Sequence, residues 1–140
     1  MKRITIIIWL CCLAVTTAAQ TIPVRAGWHS FTIQWISFNK AGAGRVNIRP
    51  TGKGQYSIEG RQSDARTNDY VSIKGTFSSK GRALYFNGRI VSRISIINNG
   101  APCERTGPFV FKASGTRKYW RLQEMLNCDN TTTDYIDIFF

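Results

Sequence analysis

One pattern recurs between residues 56 and 88 and limits what this chain can fold into: two large apolar residues and a glycine at alternate positions. It occurs three times, as Tyr56-x-Ile58-x-Gly60, Val71-x-Ile73-x-Gly75 and Leu84-x-Phe86-x-Gly88. Side chains of a strand point alternately to its two faces, so each triplet lies on one side of a sheet. Ser57, Glu59, Ser72, Lys74, Asn87 and Arg89 fall on the other side. Such alternation marks antiparallel strands with one solvated face. A glycine on the apolar face leaves room for a strand bend or a neighbouring ring. Trp28, Trp35 and Trp120 are the rings expected to fill that room.

The same period extends in both directions. His29, Phe31, Ile33 and Trp35 alternate with polar residues in a first strand, after an extended lead-in over residues 21–27. Residues 39–44, Asn-Lys-Ala-Gly-Ala-Gly, read as a loop, and residues 45–49 as a short second strand ended by Pro50 and a Thr-Gly-Lys-Gly turn. The third repeated strand is expected to run on through Ile90, Ile94 and Ile96, bending near Ser92. Asn98-Asn99-Gly100 is the strongest tight-turn signal, and Phe109, Phe111 and Ala113 begin a sixth strand after it. Residues 117–127 fit either a strand running into a loop or a helix; the strand is preferred because residues 135–140 supply a hairpin partner. About eight short strands with local connections predict an all-β antiparallel meander, closed as a small up-and-down barrel or folded as a two-sheet sandwich.

Residues 1–19 stand apart from this pattern. Lys2 and Arg3 precede an apolar stretch over residues 4–15, and Thr17-Ala18-Ala19 resembles a cleavage site before Gln20. This is the layout of a secretory signal peptide, which predicts a single domain over residues 20–140 and a secreted or periplasmic location. Cys11 and Cys12 fall within the leader, leaving Cys103 and Cys128 to form one disulfide in an oxidising compartment. Nineteen Lys and Arg less Lys2 and Arg3 leave 17 against 8 Asp and Glu, a formal charge of +9. That balance favours anionic partners.

The sequence offers little for catalysis. With His29 as the only histidine and the cysteines paired, no zinc ligand set or thiolate nucleophile can be assembled. Glu124, Asp129, Asp134 and Asp137 cluster near the second cysteine but lack a calcium-loop spacing. Glu59 with Asp69 or Asp137 could be proposed as a glycosidase pair, yet no spacing rule selects them. The chain is therefore read as a non-enzyme without cofactor or metal. Asn130-Thr131-Thr132 is an N-glycosylation acceptor in a eukaryotic host.

The polar faces of the repeated strands are more informative. Arg61, Lys74, Arg89 and Arg93 share one parity, Tyr85 is interleaved, and Tyr119 and Arg121 extend the set from the C-terminal hairpin. Cations mixed with aromatic rings suit an anionic glycan, the charges meeting sulfate or phosphate and the rings stacking. The expected function is that of an exported binding protein, with an anionic envelope glycan, a protein partner or a small apolar molecule as ligand. An inhibitor of a secreted enzyme belongs to the same class. Export argues against nucleic acid as a partner, and no pattern specifies an oligomeric state. The alternative is a small outer-membrane barrel, because Ile136, Ile138 and Phe140 place apolar residues as outer-membrane strands often end. A membrane is expected only on that alternative.

Overall fold

The computed structural model describes residues 20–36 and 43–140. The expected leader, with Cys11 and Cys12, and most of the loop over residues 39–44 lie outside the described residues. Eight antiparallel strands follow one another round a closed barrel. They are β1 (Gly27–Ile33), β2 (Gly44–Gly52), β3 (Gln55–Asp64), β4 (Asp69–Lys80), β5 (Ala83–Arg93), β6 (Cys103–Lys112), β7 (Tyr119–Leu122) and β8 (Ile136–Phe139). Closure comes from β1 pairing with β8, Phe31 opposite Ile138 and Ile33 opposite Ile136. A closed ring leaves no unpaired edge, so the barrel, and not the sandwich, is the architecture.

The repeated pattern faces inward. Ile58, Val71, Ile73, Leu84 and Phe86 are buried with Phe31, Ile48, Phe111, Trp120 and Leu122 in one core. Ile22 covers one mouth of the barrel, its N–H donating to the Gly81 carbonyl at 3.0 Å. Ile36, Ile94 and Ile97 are buried beyond the other ends of the strands. The interior is thus filled by side chains, as small barrels of this strand number allow.

The rings over the glycines are not the expected ones. Trp28 is 60% exposed and Trp35 38%, while buried Trp120 packs at a tilt against Phe140 with centroids 4.6 Å apart. Gly75 faces Gly88 across β4–β5, and Gly88 faces Gly107 across β5–β6. Phe86 lies over the first two, where an added Cβ would come within 2.7 and 2.8 Å of its ring. Phe109 covers Gly107 in the same way and stacks on Phe86. At Gly60 an added Cβ would overlap the β2 backbone at Arg45 and Val46. The glycines let strands coil tightly while aromatic side chains from the neighbouring residues fill the gap. The sequence signal for this was Phe86 itself, two residues from Gly88.

Several boundaries differ from those expected. β5 ends at Arg93, and Ile96 is 82% exposed in the connection to β6. Asn98-Asn99-Gly100 forms a single 3-10 turn, with both asparagines at φ 54°, inside that longer connection. β2 runs through Pro50 to Gly52 with an irregular register there. Of residues 117–127, Tyr119–Leu122 are strand, and a loop with an isolated Leu126–Thr133 bridge follows. Cys103 and Cys128 are bonded, with Cα atoms 5.4 Å apart, tying the start of β6 to that loop.

Candidate functional site

Outward residues of neighbouring strands stand side by side in rows set by the register. One row runs Trp28, Asn47, Glu59, Lys74, Arg89, and the next runs Ser30, Arg45, Arg61, Ser72. Gly60 and Gly75 line a groove of about 670 Å³ on the outside of β1–β4. Trp28 stands at one side of it, and Arg45, Arg49 and Arg61 line it. A second depression over β3–β5, sharing Glu59, Gly60, Arg61 and Lys74, continues it to Arg89.

The cations along these rows fall into two kinds. Lys74 is matched by Glu59 at 3.1 Å, and Arg89 binds Glu104 through two hydrogen bonds of 2.6 and 2.7 Å. The hydrogen bond from Arg89 holds the Glu104 carboxyl below its ordinary range, against the opposing effect of burial. Such exposed pairs contribute only about 0–1 kcal/mol to stability, but each cancels a charge locally. Arg45 and Arg61 differ. They face one another directly across β2–β3, and among the described residues neither is in an ion pair with a carboxylate. Arg45 turns instead over the Trp28 ring at 5.0 Å and Arg61 over Tyr70 at 4.1 Å. Like charges directly opposite in a sheet are destabilising, so this pair carries a structural cost.

The remaining residues of the expected basic face separate. Arg93 points to the turn between β3 and β4, donating to the Thr67 and Asn68 carbonyls at 3.1 Å and lying 3.6 Å from Asp69. Tyr85 is half-exposed beside Val110, away from these arginines. Tyr119 and Arg121 sit on β7, across the barrel. There Arg121 binds Asp137 through two bonds of 2.8 and 2.7 Å and lies over the Tyr119 and Tyr135 rings. The expected face is therefore a groove on β1–β5 and a separate ion pair on β7–β8. Arg45, Arg49 and Trp28 complete the groove and were missed. Their signal was outward parity on β1 and β2, but only the register brings those strands beside β3.

His29 and the carboxylates serve the fold. His29 is buried, its Nδ1 2.7 Å from the Phe139 carbonyl oxygen and its Nε2 2.8 Å from that of Arg25. A neutral ring donates to one of the two, and a protonated ring to both. Asp134 is fully buried and accepts from Trp35 Nε1, Asn127 Nδ2 and Arg105 Nη2 at 3.0, 2.8 and 3.0 Å. Burial pushes the Arg105 guanidinium down in pKa, and Asp134 opposes this. Glu124 accepts from the Val110 N–H, and Asp129 from the Thr131 and Thr132 N–H groups. With Asp137 held by Arg121, the four carboxylates near the second cysteine thus face different partners. Among the described residues no group of three acids, histidines or cysteines converges on a metal position.

Comparison with known proteins gives a relative and a family. A curated protein of Pasteurella multocida (strain Pm70), titled "Uncharacterized protein PM1083", is 36% identical over 118 residues, covering 81% of this chain and 72% of its own length. No solved structure matches. The PM1083 family model matches residues 16–140, and the chain belongs to that family.

Proposed function

We propose that the protein is an exported binding protein that takes an anionic envelope glycan in the groove over β1–β4. The observation that carries this reading is the facing pair Arg45 and Arg61. Two guanidinium groups held opposite each other on a solvated sheet, without a carboxylate between them, are poised for anions from outside. Trp28 adds an exposed ring for a sugar face, and Asn47, Ser57 and Thr76 add hydrogen-bonding groups along the same groove. The disulfide supports an oxidising compartment, in keeping with the leader read from the sequence.

Two other readings have less support. A small apolar ligand would need a cavity where Phe31, Phe77, Phe111 and Trp120 are fully buried against their neighbours. An outer-membrane barrel needs an apolar outer band about 25 Å tall. Here the outward positions of β3–β5 include Ser57, Glu59, Arg61, Lys74, Asn87 and Arg89.

Retention on immobilised heparin and on a purified anionic envelope glycan tests the proposal. Arg45→Glu/Arg49→Glu should elute at markedly lower salt than the parent, with a flatter salt dependence. Trp28→Ala, which changes no charge, should weaken retention on the glycan. Equal retention of parent and both variants would remove the groove as the site. Fractionation of the native host should find the protein free of detergent requirement in the envelope or medium; a cytoplasmic pool would defeat the export reading.

A further inference from the structure

The two ends of the barrel differ in charge. In the meander, residues 20–26, the β4–β5 turn, the β6–β7 loop and Phe140 all come to one end. They are tied together there. Arg82 donates through Nε to the Ala113 carbonyl at 2.9 Å and through Nη2 to that of Gly115 at 3.0 Å, and the Phe140 N–H donates to the Lys118 carbonyl at 3.2 Å. A cleft of about 520 Å³ opens between them, with Arg25, Arg82, Arg117 and Lys118 in its wall. A depression of about 450 Å³ adjoins it, sharing Arg82 and Gly115 and adding Lys80 and Lys112.

No aspartate or glutamate lines either depression. Two residues up β8, Asp137 is already matched by Arg121. Arg25, Lys80, Lys112, Arg117 and Lys118 form no ion pair among the described residues. At the opposite end stand Asp64, Asp69, Asp129 and Asp134, the first two and the last matched there by Arg66, Arg93 and Arg105. Among the described residues the unmatched positive charge is thus gathered at the first end.

We propose that this end docks on an anionic lipid surface. Two observations favour a surface over a single small anion. The cations come from three separate segments and spread round two open depressions instead of converging on one point. Arg82, the guanidinium shared by both depressions, is committed to two carbonyls, while Lys80, Lys112, Arg117 and Lys118 around it are exposed. Such dispersed charges act additively on a plane of headgroups and fall off within a Debye length. The groove over β1–β4 then lies on the flank of the barrel, free for its own ligand.

Co-sedimentation with vesicles tests the proposal. The purified protein should pellet with phosphatidylcholine vesicles containing about a third phosphatidylglycerol, and not with phosphatidylcholine alone, and the binding should fade as salt rises. Lys80→Glu/Lys112→Glu and, separately, Arg117→Glu/Lys118→Glu should each reduce partitioning about tenfold or more. All four side chains are exposed, and melting curves check that the fold is kept. Arg45→Glu/Arg49→Glu changes net charge equally but lies in the groove, so it should bind vesicles nearly as the parent does. Hydrogen exchange should slow at residues 113–118 on anionic vesicles and stay unchanged at residues 65–68 at the opposite end. Equal loss in all three double variants would reduce the effect to net charge and overturn the proposal. So would displacement from vesicles by millimolar inorganic phosphate at constant ionic strength, which would make the cleft a small-anion site. Loss of heparin retention by the groove variant alone would leave this proposal standing, and the converse result would leave the glycan proposal standing.

Discussion

The barrel has two unlike halves. β3, β4, β5 and β6 are 10, 12, 11 and 10 residues long and pair along nearly their whole length. β7 and β8 have four residues each, and β8 meets β1 over only three facing positions. The first half is held by ladder hydrogen bonds and alternating side chains. The second has few of either, and discrete devices replace them: the Cys103–Cys128 bond, the buried Asp134 knot, and the Arg121–Asp137 pair. A closed barrel needs both, because an open β1–β8 seam would expose two strand edges and the core between them. Regular sequence builds the first half; singular residues close the second.

The largest test breaks the closing half at Asp134. Asp134→Ala would strand Arg105 and Asn127 as buried donors and remove the partner of Trp35 Nε1, and should destabilise the protein by about 3–5 kcal/mol in denaturant unfolding. A loss under 1 kcal/mol would mean that water reaches this knot and that the halves are more alike than their geometry indicates. Removing the disulfide is next. Cys103→Ala/Cys128→Ala should cost about 3 kcal/mol on the chain-entropy account. Amides of β7 and β8 should lose exchange protection while those of β4 keep theirs. Uniform loss of protection would show a single cooperative unit.

The regular half has its own weak point. Gly75→Val would drive its side chain into Phe86 and into the backbone at Asn87 and Gly88, costing about 1–3 kcal/mol. A variant as stable as the parent would mean that β4 and β5 can part without penalty. The smallest effect concerns the loop before β8. Hydrogen bonds from the Thr132 hydroxyl, then from the Thr132 and Thr131 N–H groups, lower the Asp129 pKa to about 2 from 3.8. A depressed folded-state pKa stabilises above the unfolded value, so this loop contact is complete above about pH 4 and is lost as pH falls through about 2. The Asp129 carboxyl signal in NMR should titrate near that value, and Thr132→Val should move the midpoint back toward 3.8. An unchanged midpoint would assign the shift to another cause.

Much of the regular half was legible from residues alone. Alternation of Ile58, Ile73 and Phe86 with Glu59, Lys74 and Asn87 fixes both strand and inward face, since the side-chain period of a strand is two and local. The disulfide was legible because only two of the four cysteines, Cys103 and Cys128, follow residue 20. The groove was half legible. Parity assigned Arg61, Lys74 and Arg89 to the outside, but parity says nothing of what stands across from each. Register decided that Arg89 would reach Glu104, that Lys74 would reach Glu59, and that Arg45 would face Arg61 with no carboxylate between.

Closure made the remaining decisions. It put Tyr119 and Arg121 across the barrel from the face they were expected to join, and it buried Asp134 beneath Trp35 and Arg105 from distant parts of the chain. It also gathered Arg25, Lys80, Lys112, Arg117 and Lys118 at one end, though in sequence they sit singly or in pairs at separate turns. Local pattern determines what a segment forms, because propensity and side-chain period act over a few residues. Charge is felt through space, so which cations are cancelled and which stay free was settled only when the strands met.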